Sequence, residues 1–410
     1  MIRTPKSNTY QNCSCDALVI GGGPAGLAAG IALRQQGLDV VIVDALTPPI
    51  DKACGEGLMP DSRRELALLG VELTGGLEFS GIHFAQRNRG REHLATADFP
   101  QGRGIGIPRL DLHERLIERA AQLGVRFQWN SRAELRSNGE VRVAGQSFRF
   151  RYLIGADGEA SSVRHWADLD AGFRLTERFG FRRHYAAAPW SDHVEVHWSD
   201  LGQVYVTPVG ENEICMAAIT RHRGPKFDEI LEGFPYLRRK LLGVPTIGRG
   251  RGAVTSTRKL RRVTRGNVAL IGDASGSADA ITGEGLASAF REALLLGEAL
   301  GRHSIRDYEI GHSRILRIPQ AMAAMMLAMD RWPWLRNRAL RLLAEDSELF
   351  TRLLAVHVGD IVPAGFGVGL GLRLMGRLLY PKTSSEAAAP QDASQVNAGG
   401  AEFGQAEATL

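Results

Sequence analysis

The stretch Asp16–Asp44, DALVIGGGPAGLAAGIALRQQGLDVVIVD, reads as a strand, a glycine turn, a helix and a second strand. Ala17 to Ile20 is a short apolar run of buried-strand type, and Gly21, Gly23 and Gly26 follow it as G-x-G-x-x-G. The first glycine permits a tight turn, the second lets backbone approach a pyrophosphate, and the third lets helix and strand pack closely. Pro24 follows the turn, and Ala25 to Gln36 reads as a helix whose unpaired N-terminal amides and dipole favour an anion. Gly37 ends it, Val40 to Val43 forms the second buried strand, and Asp44 stands where an acid meets a ribose hydroxyl. The unit is an adenine dinucleotide site. FAD and NAD(P) use the same fingerprint, so the rest of the chain must choose between them.

At 410 residues and 44% hydrophobic, the chain can bury a large core. No apolar leader precedes the first strand, and Cys13, Cys15, Cys54 and Cys215 match neither a disulfide framework nor a paired zinc signature. A reduced, cytoplasmic protein without a metal centre is expected. The net charge of +5 is carried mainly by arginine. Its basic runs lack the aromatic interleaving of a nucleic-acid platform, so no nucleic-acid partner is expected.

Outward from the opening unit, the predicted order is a dinucleotide domain over 14–175, carrying a substrate-side insertion near 70–100. A helix begins beyond Asp61, read as its N-cap, and short strands with turns fill Val71 to Ala97. Leu112, Leu116, Ile117, Ala120 and Leu123 share one face of a helix that starts at Arg109. Ala133 to Val143 and Phe148 to Arg151 read as a hairpin through Asn138-Gly139. Residues 176–262, including HVEVHW and QVYVTPV, alternate as an antiparallel sheet with one covered face. Residues 263–305 return to the first architecture, residues 306–381 form a helical cap, and residues 382–410 read as a disordered tail. The apolar runs Ala321 to Met329 and Val362 to Leu372 are too short to span a bilayer. They leave peripheral membrane contact as an alternative to simple capping.

Three separated motifs now share one logic: Gly21-x-Gly23-x-x-Gly26; Gly155-Ala156-Asp157-Gly158 with Ser161 and Arg164; and Gly272-Asp273 with Gly283-Glu284-Gly285. In this order they resemble the FAD-dependent aromatic hydroxylase and geranylgeranyl reductase superfamily. The resemblance implies an α/β fold: a Rossmann-like FAD-binding domain of glutathione-reductase type, an inserted antiparallel-sheet substrate domain and a helical C-terminal region. It implies that Asp273 meets the ribityl chain, that Gly283 and Gly285 lie against the flavin edge, that Arg109 reaches the pyrophosphate, and that Asp157 and Gly158 help hold FAD and a transient NAD(P)H. No second complete G-x-G-x-x-G follows a strand, so a nicotinamide would visit and leave.

The subfamily is divided. Cys54-Gly55-Glu56-Gly57 and Gly283-Glu284-Gly285 resemble the prenyl-chain reductases, whereas Tyr205-Val206-Thr207-Pro208 lacks the Trp and Phe of their substrate segment. Ala280 stands where the hydroxylases commonly carry proline. The first expectation is an NAD(P)H-dependent monooxygenase hydroxylating a hydrophobic aromatic or polyketide-like molecule. Close behind stands a reductase of isoprenoid double bonds, and third a non-catalytic flavin carrier. Cys54 is the candidate residue beside the flavin, a small polarisable thiol. Tyr205, His197 and Trp198 are candidates for the substrate pocket.

Overall fold

Strands that are apolar on both faces mark the centre of the molecule, and Ala17, Leu18, Val19, Val40, Val41 and Ile42 meet that condition with essentially no solvent exposure. The computed structural model describes residues 14–88, 91–137 and 139–361; the expected tail, the Val362 to Leu372 run and Asn138 lie outside the described residues. Strand Ser14–Ile20 pairs in parallel with Val40–Val43 on one side and Gln146–Gly155 on the other. Arg126–Gln128 extends the sheet beyond Val40–Val43, and Val268–Leu270 adds in parallel to Gln146–Gly155. Continuous apolar strands are what a parallel sheet covered on both faces requires.

Helix Pro24–Gln35 lies against helix Gly285–Gly301, so the first and last parts of the dinucleotide unit pack together. Gly297 allows that approach: a Cβ there would come within 2.9 Å of the Ala32 carbonyl oxygen. Such contact leaves no room for a larger residue on this face.

The second sheet runs Thr246–Thr255, Arg178–Tyr185, Glu213–Thr220, Gly202–Gly210, His193–Ser199, Gly81–Asn88, Arg91–Asp98. Its pairings are antiparallel except where His193–Ser199 meets Gly81–Asn88 in parallel. The short strands expected over Val71 to Ala97 are in fact mostly one hairpin of two eight-residue strands. Small Ala85, Ala95 and Ala97 are buried on it, which weakened the apolar alternation in the sequence.

Alternation along Gly202–Gly210 divides the two faces of that sheet. Val204 and Val206 pack with Phe227, Ile230, Phe234 and Leu237 on the outer face. The inner face carries Tyr205 and Thr207 and is roofed by helices Arg317–Arg331, Pro333–Glu345 and Ser347–His357. Two local expectations change. Asp61 is not an N-cap: Pro60 begins the helix Pro60–Leu68, and Asp61 lies buried in its first turn, paired with Arg291. The expected single hairpin is a three-stranded meander, with Ala133–Leu135 and Gln146–Gly155 both pairing to Val141–Val143.

Candidate active site

The glycine turn divides its labour as steric arguments require. Gly21 has φ +112°, and a Cβ there would lie 2.3 Å from the Ala156 oxygen; one on Gly26 would lie 1.8 Å from the Gly21 oxygen. At Gly23 a Cβ would meet nothing within 4 Å, so this position faces open space in the cavity wall. No side chain caps the helix that begins at Pro24, which leaves its first amides available to an anion.

Asp44 lines the same cavity and holds the turn closed. Its Oδ2 accepts the Gly22 amide at 2.7 Å and its Oδ1 the Leu46 amide at 2.8 Å. Opposite stands Arg109, the first residue of helix Arg109–Gln122. It is buried, lines the cavity, has no ion-pair partner among the described residues and leaves Nε without a hydrogen bond. A buried guanidinium without an anion is costly, so this end of the cavity fits a bound pyrophosphate. One turn along, His113 donates from Nε2 to the Gly22 carbonyl at 2.8 Å and accepts the Ile50 amide at Nδ1. Burial outweighs the hydrogen bond and pulls its pKa down, keeping the ring neutral as that pattern demands.

The other motifs converge across the cavity. Asp157 lines it, but spends its oxygens locally on Ser161 Oγ at 2.5 Å and on the amides of Ser162 and Val163. It thereby holds the turn through Gly158, φ +80°, into a short helix. Buried Arg164 pairs with Asp170 at 2.8 Å and donates to the Ala274 carbonyl, joining this turn to the one at Gly272. Asp273 forms a half-exposed pair with Lys52 at 3.3 Å, and both line the cavity. Gly283, φ +72°, and Gly285 present open backbone to it, and helix Gly285–Gly301 starts there with no capping side chain.

Glu284 does not follow its neighbours into the main cavity. It is 1% exposed, and neither carboxylate oxygen has a hydrogen-bond partner. Burial first, and the nearby charge of Asp61 second, push its pKa up to about 8. His357 Nδ1 lies 3.4 Å from Glu284 Oε2, and burial pushes that ring down to about 4. The two form a neutral acid and imidazole behind the glycine turn, and His357 also reaches the cavity wall.

The Cys54 loop is fixed from beneath by the second sheet. Thr207 Oγ1 donates to the Gly55 carbonyl at 2.8 Å, and Cys215 Sγ lies 3.7 Å from the Cys54 carbonyl. Glu56 adopts φ +61°, an uncommon conformation for a side chain of this kind, and is 3% exposed. Its Oε2 meets His184 Nε2 at 2.7 Å, while His184 Nδ1 meets Glu213 at 2.7 Å. Arg182 lies 3.6 Å from Glu56 Oε1 and also pairs with Asp51. Ligand atoms of Glu56, His184 and Cys215 fall within 4.8 Å of one another, but both imidazole nitrogens are engaged by carboxylates with a guanidinium alongside, the pattern of an ion network. Cys54 itself lines the cavity and accepts the Glu56 amide at Sγ.

Gly23, Asp44, Cys54, Arg109, Asp157, Asp273 and Gly283 border one cavity of about 940 Å³. Beyond Gly283 it enters an apolar arm walled by Met322, Met326, Met329, Leu342, Phe350 and Leu354. Tyr205 belongs to this wall, and its hydroxyl donates to the Ile281 carbonyl at 2.5 Å, bracing the turn before Gly283. His197 and Trp198 do not line the cavity. His197 points to the outer face, 2.7 Å from Glu195 and stacked on Tyr236, because it lies one residue out of phase with Val196. Trp198 is buried beneath the roof, edge-on to Phe84. Lys52, His113, His184 and His357 carried no motif and were missed; sequence distance hid them, since Lys52 meets Asp273 across 221 residues.

The chain belongs to the FAD binding domain family, whose model matches residues 14–305. It is therefore an FAD-dependent oxidoreductase, and a pyrophosphate-bearing cofactor is chemically compatible with the uncapped helix, the orphaned Arg109 and the open glycines. The menaquinone reductase of Mycolicibacterium smegmatis is 26% identical over 338 residues, covering 75% of this chain and 81% of that protein. The rifampicin monooxygenase of Rhodococcus hoagii is 32% identical over 159 residues, 36% of this chain and 33% of that protein. Among solved structures, p-nitrophenol 4-monooxygenase from Pseudomonas putida superposes with a TM-score of 0.71 at 17% identity, covering 85% of this chain and 97% of that one. Both reaction classes expected from the sequence, oxygenation and reduction, are represented among these proteins.

Proposed function

We propose that this flavoenzyme reduces a carbon–carbon double bond in a long, isoprenoid-bearing molecule, with NAD(P)H as the transient source of electrons. The observation that carries the reading is the apolar arm: Met322, Met326, Met329, Leu342, Phe350 and Leu354 continue the cavity with no charged residue among them, a lining suited to an uncharged chain. Methionine suits a flexible chain, because its unbranched, polarisable side chain adapts to irregular shapes. The menaquinone reductase, which matches most of this chain, is named for a quinone that bears an isoprenoid tail. When bound, FAD supplies a hydride acceptor and donor. Arg109 and the Pro24 helix end would hold its phosphates, Asp273 and Lys52 its polyol region, and Gly283 and Gly285 its ring edge.

Oxygenation of a hydrophobic aromatic molecule is the second reading, favoured by the local likeness to the rifampicin monooxygenase. On this reading the same apolar enclosure excludes water from the reacting ring. Turnover separates the two. Under strict anaerobiosis, with NADPH or NADH and a prenylated quinone, the first reading predicts sustained nicotinamide oxidation and a product that stays two mass units heavier after any hydroquinone is reoxidised to the quinone, the two hydrogens lying in the isoprenoid tail. Turnover that requires oxygen and adds sixteen mass units would overturn it in favour of the second. Localisation in the cytoplasm accompanies either reading; among the described residues no helix is long and apolar enough to cross a membrane.

A further inference from the structure

The outward face of helix Arg317–Arg331 departs from the usual pattern of a surface helix. Ala321, Ala324 and Met325 are exposed on it at helical spacing, with exposed Arg317 and Arg331 at its two ends. The next corner exposes two large aromatics, Trp332 at 50% and Trp334 at 59%. From Arg314 to Ala344 the chain has six arginines and one acid, Asp330, and that acid is 4% exposed and bonded to Gln203 and Arg221. Arg314, Arg317, Arg331 and Arg341 are exposed and have no ion-pair partner among the described residues. Tryptophan beside unpaired arginine on an apolar face is the composition that settles at a lipid headgroup boundary.

The same helix is a wall of the cavity. Met325, 37% exposed, belongs both to that wall and to the outer face, and Leu335, directly after Trp334, lines the cavity too. We propose that this face docks on an anionic bilayer, so that an apolar substrate passes between membrane and cavity arm without crossing water. Charge complementarity commits the partner: acidic lipid headgroups meet the unpaired Arg317 and Arg331 at the two ends of the face while the tryptophans enter the interface. The substrate part rests on the reading of the arm as an isoprenoid site; the docking part does not.

The test uses the full-length, FAD-loaded protein, vesicle flotation, and no substrate or nicotinamide, so its outcome is independent of the reaction class. Phosphatidylcholine vesicles containing about one third phosphatidylglycerol are compared with pure phosphatidylcholine. Binding is expected on the acidic vesicles and falls as salt rises. Arg317→Gln and Arg331→Gln should each lower partitioning roughly fivefold, and Trp332→Ser with Trp334→Ser should lower it about tenfold. Unchanged flavin absorbance in each variant shows that the fold is retained. Equal partitioning of wild type and variants, or no affinity for acidic vesicles, overturns the proposal. So does lipid-free, concentration-dependent self-association that the Trp changes abolish, which would assign the face to a second copy.

Discussion

His184 Nε2 stands 2.7 Å from Glu56 Oε2, so a buried imidazole pins the loop that carries Cys54 to the floor of the second sheet. Burial pulls the ring's pKa down, but the hydrogen bond and charge of Glu56, with the charge of Glu213, outweigh it and hold the pKa above its ordinary value. A raised folded-state value means that the stabilisation is complete below the unfolded pKa near 6.5 and fades as pH rises through the folded value. His184→Gln should therefore cost about 3 kcal/mol near pH 6 and progressively less in alkali. Thermal melts from pH 5 to 10 check this; a penalty that grows with pH would refute it.

Arg109 makes the opposite kind of prediction, because its Nε has no partner among the described residues. Arg109→Gln should weaken FAD binding by about ten- to a hundredfold, the scale of one charge-assisted hydrogen bond of roughly 1.5–3 kcal/mol. The apoprotein's melting temperature should not fall and should rise slightly, because the substitution removes a buried unpaired charge. Fluorescence titration of apoprotein with FAD, beside melts without it, separates cofactor binding from folding.

The two glycines either side of Pro24 should fail differently. Gly26→Ala forces a Cβ against the Gly21 carbonyl and should abolish soluble folding, whereas Gly23→Ala meets nothing within 4 Å in the protein. Gly23→Ala should fold as stably as wild type yet lose FAD. Circular dichroism with bound-flavin absorbance is enough to compare them, and a yellow, fully loaded Gly23→Ala protein would exclude the pyrophosphate from that position.

Glu284, with its pKa up at about 8, is protonated at neutral pH, and the folded state loses stability as pH rises from the unfolded value to that of the buried acid. Glu284→Gln keeps the shape and cannot ionise. It should match wild type near pH 5 and exceed it by on the order of 2 kcal/mol near pH 8, read from denaturant midpoints at each pH.

The dinucleotide unit was legible in sequence because its signals are local. Val40–Val43 is the strand that the apolar run marked, and the three glycines are spaced by the turn that they build. The three motifs expected to share one ligand do converge on one cavity, lined by Gly21, Gly23, Asp157, Gly158, Asp273, Gly283 and Gly285. The apolar arm of the cavity was not legible. Its walls are ordinary methionines and leucines whose convergence depends on how three late helices roof a sheet. His197 falls outside the cavity because a strand places alternate residues on opposite faces, whereas Trp198 shares the inner face with Val196 but is packed under the roof helices; polar or aromatic character alone reveals neither. Lys52, His184 and His357 gain meaning only from partners far away in the chain.

The parallel pairing of His193–Ser199 with Gly81–Asn88 also dictates an order of assembly. The hairpin Gly81 to Asp98 leaves the ribosome long before the strand that covers its inner edge. Until then that edge offers unpaired amides and carbonyls, and Phe79 and Ala95 lack the Val194 and the roof that later join them in one cluster. Synthesis of this chain thus passes through an interval of exposed strand edge, in which slow elongation or high local concentration favours aggregation, and chaperone capture matters most.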